Sequence, residues 1–276
     1  MDSKNMVEFI LEFQENDQNN RISEEVAKKP EYIGKKIFDG AICGIAAADD
    51  PVILSLKDNK EAGLDMLLPE EWLPGAKSVV SFFLPFEHWI TEENIGGDIP
   101  SAGWLHGRIE GQMAINKMSL ALTKKVMEEG FETIVPALDP RFWCFTQAPD
   151  YVGPKYTCNW SERHVAFAAG IGTFGLSRGF ISEIGTAGRL MSFITTLSLE
   201  PTPRPYEDLL EYCSKCCSCI PACPGKAISL EQLKDHVLCD EWTSKVREMF
   251  YPYYGCGKCQ SGMPCAYTAP GKRQSK

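Results

Sequence analysis

The segment CSKCCSCIPACP at 213–224 packs five cysteines into eleven residues. Cys213, Cys216, Cys219 and Cys223 follow one another at spacings x2, x2 and x3, and Pro224 comes directly after the last. This is the run that wraps iron–sulfur cubes, because a short C-x2-C-x2-C loop can turn three thiolates onto one cube while a remote cysteine closes the cage. Cys217 is left over. A second group, Cys256-x2-Cys259-x5-Cys265 with Cys239 upstream, brings the number of candidate thiolates to eight. Eight thiolates make two 4Fe-4S cubes.

In two-cluster ferredoxins the fourth cysteine of the run ligates the other cluster. That rule assigns Cys213, Cys216, Cys219 and Cys265 to one cube and Cys223, Cys239, Cys256 and Cys259 to the other. A structural zinc site also uses C-x2-C pairs, but it has no need of a three-cysteine loop closed by Cys-Pro. Cys43, Cys144, Cys158 and Cys217 are expected to be buried thiols, since free cysteine packs as a small hydrophobe. Two neighbouring cubes form an electron relay; the acceptor has to come from the preceding two hundred residues.

Nine of the 12 cysteines fall after residue 212, which marks a boundary. We expect a cofactor- and substrate-binding core at 1–200 and a two-cluster module at 201–276, joined by the stiff PTPRP connector. With 44% hydrophobic residues the chain can supply a core. The formal charge of −9 argues against nucleic-acid and anionic-membrane partners, which need clustered Lys and Arg. No secretory signal pattern opens the chain and no run approaches a membrane span, so a cytoplasmic protein with thiols kept reduced is expected.

Within the core, GAICGIAAA at 40–48 reads as a strand, and Ser78 to Leu84 as a buried strand entered through the Pro74-Gly75 turn. Residues 87–103 read as a loop over a site. From Leu105 to Glu129 the spacing predicts a helix with Ile109, Met113, Leu120 and Val126 on its apolar side and Gly130 at its end. FETIVPA at 131–137 reads as a strand, SERHVAFAAG as a helix, and GRLMSFITTLSL as a strand. Between them Leu138 to Asn159 is irregular and aromatic, and loops of that length are usually functional. Gly170-x-Gly172-x-x-Gly175 has the form of a dinucleotide fingerprint, but a helix precedes it and a turn-rich stretch follows, which removes the Rossmann context.

The segments ERHVAFAAGIGTFGLS and GTAGRLMSFITTLSL, followed by the double cysteine module, resemble the cobalamin-dependent iron–sulfur proteins that include epoxyqueuosine reductases and reductive dehalogenases. The resemblance covers roughly residues 70–265 and is specific by motif over 160–265. It implies an α+β fold: a nitroreductase-like cobalamin-binding core followed by a bacterial ferredoxin-like module. Cobalamin would be held with its lower base detached, among Arg163, His164, Gly170, Gly172, Thr173, Phe174, Gly175 and Arg189.

A reductase of this kind also needs a proton donor. Tyr156, Asp139 and His106 are the candidates, with Asp150 a further one. The implied partners are a small-molecule substrate and a low-potential electron donor such as ferredoxin or flavodoxin. Two other readings fit the same residues: an electron-transfer protein or reductive activator of a corrinoid protein, and a reductase with flavin in place of cobalamin.

Overall fold

The computed structural model describes residues 2–16, 18–57, 65–144 and 157–272. Its centre is a four-stranded antiparallel sheet in the order β1-β2-β6-β3, built from β1 (Ile42–Ala47), β2 (Ser78–Pro85), β6 (Gly188–Thr195) and the two-residue β3 (Thr133–Ile134). Strand β2 is the middle of the domain, and its near-continuous apolar run follows from burial on both faces. Alternate residues point to opposite sides. Val80, Phe82 and Leu84 enter a core with Met191 and Phe193, and Val79 and Phe83 enter a second core with Ile194.

Helices cover both faces. On the first lie α1 (Ser3–Asn16), whose Met6, Ile10 and Gln14 form one buried stripe, and α5 (Ala102–Glu128). On the second lie α2 (Pro51–Ser55), α3 (Pro69–Trp72) and α6 (Glu162–Ala168). Helix α5 begins where the Ser101 hydroxyl accepts the Trp104 N–H and ends at Gly130, which sits at φ 92.

The long helix corrects the expected facing. Its buried residues are 103–107, Gly111, Ala114, Ile115, Met118, Ser119, Leu122, Thr123 and Val126, whereas Met113 and Leu120 are exposed. Small residues let the sheet approach the helix, so of the apolar side chains nominated by size Val126 is buried, Ile109 is half-buried, and Met113 and Leu120 are exposed. Residues 87–103 are likewise not all loop: α4 (His88–Glu93) opens the stretch. The strand expected at 131–137 shrinks to β3 because Pro136 turns the chain into a short 3-10 helix.

The glycine motif lies on a hairpin, β4 (Gly172–Phe174) paired with β5 (Phe180–Ser182). A Cβ on Gly172 would stand 2.1 Å from the Ile181 carbonyl oxygen, so glycine is what lets these strands close. The PTPRP connector is pinned beside β1: the Thr202 N–H donates to the Ile45 carbonyl and the Thr202 hydroxyl accepts the Ile45 N–H. Beyond it come a small hairpin, β7 (Ile228–Ser229) with β8 (Leu233–Lys234), and α7 (His236–Phe250).

After α7 the chain returns to the core and locks onto it. The Thr186 N–H donates to the Cys265 carbonyl at 2.9 Å, and Gln260 Nε2 donates to the Thr186 carbonyl at 3.1 Å. Asn94 Nδ2 donates to the Cys256 carbonyl at 3.1 Å, and the buried Lys258 ammonium donates to the Asn94 and Gly96 carbonyls at 3.0 and 2.6 Å. The end of α4 thus holds the second cysteine group in place. Among the described residues no helix is long and apolar enough to cross a membrane.

Candidate functional site

Two cavities open on the cysteine segment. The smaller, about 20 Å³, is lined by Cys213, Cys216, Cys219 and Cys265, together with Cys217 and Cys259. The larger, about 210 Å³, has Cys223, Cys239, Cys256 and Cys259 in its wall. Cys259 belongs to both. Among the described residues no three His, Cys, Asp or Glu side chains converge tightly enough to hold a single metal ion. A cube spreads its four thiolates over its corners and does not require that convergence.

Thiol electrostatics follow the same division in part: Cys259 reaches across it to Cys219, and hydrogen bonds from Ser218 lower Cys216 instead of raising it. Burial pushes Cys265 up to about 12, and Cys213, Cys219 and Cys216 add to the effect. Cys219 also rises to about 12 through burial, then through Cys259, Cys213 and Cys216. Burial raises Cys256 to about 11, with Cys259, Cys239 and Cys223 contributing. Crowded, desolvated thiols resist ionising unless a metal replaces their protons, and that is the environment expected of ligand cysteines.

Local structure explains how these thiols meet. The αL turns at Lys215 (φ 54) and Cys217 (φ 63) coil the 213–219 loop back on itself. Gly257 (φ 65) opens the Cys256–Cys259 turn, and a Cβ there would lie 1.8 Å from the Trp104 ring. Only glycine lets this turn press against the start of α5. Cys239 rides on α7, whose first turn is capped by the Asp235 carboxylate.

The rest of the larger cavity's wall is basic and aromatic. Arg108, Arg163, Arg178, Arg189, Lys234 and Lys258 line it with Phe86, Trp104 and Trp242, and no Asp or Glu does among the described residues. The Arg108 guanidinium lies 4.8 Å from the centre of the Tyr254 ring, and Arg163 Nη1 donates to the Arg178 carbonyl at 3.2 Å. Burial and then Arg108 hold the Arg163 pKa below its ordinary value. Two further donors, Arg189 Nε and Trp242 Nε1, are buried with no hydrogen-bond partner. Buried donors are normally satisfied, so a wall of donors and cations is built for a ligand rich in acceptor oxygens.

Arg163 and Arg189, nominated from sequence, therefore meet at this cavity, and Gly175 lines the smaller one. The remainder of the glycine segment is occupied otherwise. Thr173 Oγ1 accepts the Tyr212 N–H at 2.9 Å, the Gly172 N–H donates to the Tyr206 hydroxyl at 3.2 Å, and the Phe174 N–H donates to the Leu209 carbonyl at 2.7 Å. These bonds anchor the lead-in to the first cysteine loop. Gly170 (φ 80) packs against the Thr202 and Pro203 backbone. His164 bonds Ser161 Oγ at 2.7 Å, and burial followed by Arg163 lowers its pKa to about 4.

Of the proton-donor candidates, Tyr156 and Asp150 lie outside the described residues. His106 is fully buried: its Nε2 accepts the Lys28 N–H at 3.1 Å and its Nδ1 meets Glu110 at 2.8 Å, so both ring nitrogens are engaged. Asp139 is bound to Arg141 at 2.8 Å, which holds its carboxyl below the usual range. Neither lines either cavity. The four spare cysteines, expected to be buried, are each only partly so.

Sequence reading missed Arg108, Arg178, Lys234, Lys258, Trp104 and Trp242. They come from α5, the hairpin turn, β8, the second cysteine turn and α7, and no local spacing links them.

An α+β core with a central antiparallel sheet, carrying a cysteine-rich segment folded back onto it, is the class that this fold and site define. No protein-family model and no curated protein matches the chain. Among solved structures it is similar to an epoxyqueuosine reductase with an epoxyqueuosine-modified tRNA stem loop (TM-score 0.52, 21% identity, 83% of this chain and 61% of that one). It is also similar to a catabolic reductive dehalogenase in complex with 3-bromo-4-hydroxybenzoic acid (TM-score 0.51, 14% identity, 93% and 35%). A third is a reductive dehalogenase described by its B12-dependent dehalogenation (TM-score 0.51, 14% identity, 93% and 34%). At these identities the likeness is one of fold. The chain spans 61% of the epoxyqueuosine reductase's length. The tRNA held by that neighbour is in tension with the expectation, from net charge, that nucleic acid is not a partner.

Proposed function

We propose that the protein is a corrinoid-dependent iron–sulfur reductase of a small molecule. One observation carries this reading. Four cysteines and six cations share the wall of a single cavity with Trp242, and two of the donors there, Arg189 Nε and Trp242 Nε1, have no partner.

The residues fit cobalamin. Its phosphate and side-chain amide carbonyls are acceptors, which is what Arg189 Nε and Trp242 Nε1 lack. Arg163, Arg178 and Arg189 would hold these oxygens, and Phe86, Trp104 and Trp242 would give the macrocycle apolar contact. When bound with its lower base detached, the corrinoid supplies a strongly reducing metal centre. The core in this reading is nitroreductase-like over 1–200, and the ferredoxin-like module occupies 201–276.

Cys213, Cys216, Cys219 and Cys265 would carry one 4Fe-4S cluster, and Cys223, Cys239, Cys256 and Cys259 the other. Cys216 is exposed, so electrons from a ferredoxin or flavodoxin would enter at the first cluster. Cys259, which borders both cavities, marks the passage between them. Lys258, clamped by two carbonyls, and Gly257 fix the turn that carries Cys256 and Cys259 and would hold those ligands in place. With His106 and Asp139 engaged elsewhere, Tyr156 and Asp150 are left as the proton donors of this reading.

The test is retention. Anaerobically reconstituted protein is mixed with cobalamin or with flavin mononucleotide and passed through gel filtration. Co-elution of corrinoid, weakened by Arg189→Gln, is expected. Corrinoid in the salt volume with flavin retained would overturn the proposal.

A further inference from the structure

Two cysteines outside the cluster set stand opposite each other on one isolated antiparallel bridge, Cys144 across from Cys158. Beside it the Asn159 N–H donates to the Trp143 carbonyl at 3.2 Å. The cysteines therefore occupy a non-hydrogen-bonded position, where Cα atoms lie about 4.5 Å apart and both side chains leave the same face. That separation falls inside the roughly 4.4–6.8 Å that a disulfide spans.

The neighbouring residues fix the pair. Asn159 Oδ1 accepts the Trp143 N–H at 2.9 Å and its Nδ2 donates to the Arg141 carbonyl at 2.8 Å, so one side chain clamps both strands next to the two sulfurs. Both cysteines are partly exposed, which leaves room for a small reagent.

We propose that Cys144 and Cys158 are a reversible dithiol–disulfide pair, oxidised by low-molecular-weight disulfides. A thiolate from one cysteine attacks the small disulfide and releases one small thiol. The second thiolate then displaces the other small thiol from the mixed disulfide. The protein loses two electrons and two protons, and the small disulfide gains them as two thiols. The bond ties together the ends of the 145–157 segment. It also lies near the larger cavity: Cys158 and Arg163 are close enough to perturb one another electrostatically, and Arg163 lines that cavity. Burial raises the Cys158 thiol to about 11, so closure should accelerate as pH rises.

The test uses cluster-loaded protein incubated anaerobically with oxidised glutathione, alkylated, and digested without reductant. A linked Cys144–Cys158 peptide is expected, with an intact-mass loss of about 2 Da and two fewer alkylatable thiols. Cys144→Ser and Cys158→Ser should each abolish it with cluster absorption intact, and Cys217→Ser should not. Alkylation of both thiols, arrest at a mixed glutathione disulfide, or linkage of Cys158 to a different cysteine would overturn the proposal.

Discussion

Glu162 shows how far one residue can depart from its expected state. It opens α6 after Ser161, yet both carboxylate oxygens are buried and without a hydrogen-bond partner. Burial raises its pKa from 4.5 to about 8, and the nearby Ser192 hydroxyl offsets this only partly. The folded protein thus binds a proton here that the unfolded chain has released, so stability falls as pH rises from about 4.5 to about 8. Glu162→Gln removes the titration. In urea melts at about pH 5 and about pH 8, the variant should lose less stability between the two than wild type, by on the order of 2–4 kcal/mol. Equal losses would contradict a buried, unpaired carboxyl.

At the scale of elements, α5 and the second cysteine turn are decisive. Met118 is 1% exposed and Met113 56% exposed, although both are large apolar residues on the same helix. Met118→Ala should cost about 2–5 kcal/mol and Met113→Ala less than about 0.5 kcal/mol in chemical denaturation. Gly257→Ala should displace the Cys256–Cys259 turn, because its Cβ has no room beside Trp104. Iron bound per chain should fall while far-UV circular dichroism is kept. The three long strands of the central sheet were legible in the sequence: Ser78 to Leu84 is apolar and β-branched, and β2 occupies that stretch, whereas the short hairpin strands β4, β5, β7 and β8 were not. The facing of α5 was not, because glycines, Ala114 and Ser119 form much of its buried side, and periodicity of large residues cannot register them. Pro136 cut short β3, and α4 grew from a polar stretch whose anchoring partners lie more than 160 residues away.

For the whole molecule, the legible part of the site is the part encoded locally. Cysteines spaced x2, x2 and x3 announce their chemistry within eleven residues. The cations of the larger cavity converge from separate elements, so only the fold reveals them. An acidic chain of net charge −9 turns a wall of six basic side chains inward, toward the place where thiolate-bound clusters and an oxygen-rich ligand would supply the balancing charge. The assignment of thiolates to two cubes makes a simple forecast. Cys216→Ala should lose about half the iron and Cys217→Ala none, measured by anaerobic metal analysis. Full iron in the Cys216 variant would remove that residue from the ligand set.

The most direct measurement is electron paramagnetic resonance of anaerobically reconstituted, cobalamin-loaded protein, examined before and after reduction. Two interacting reduced cluster signals are expected together with a cob(II)alamin spectrum lacking the splitting from an axial nitrogen, as a detached lower base would leave it. A cobalt spectrum identical to that of free cobalamin in buffer, or a sample with no cluster signal, would contradict that expectation.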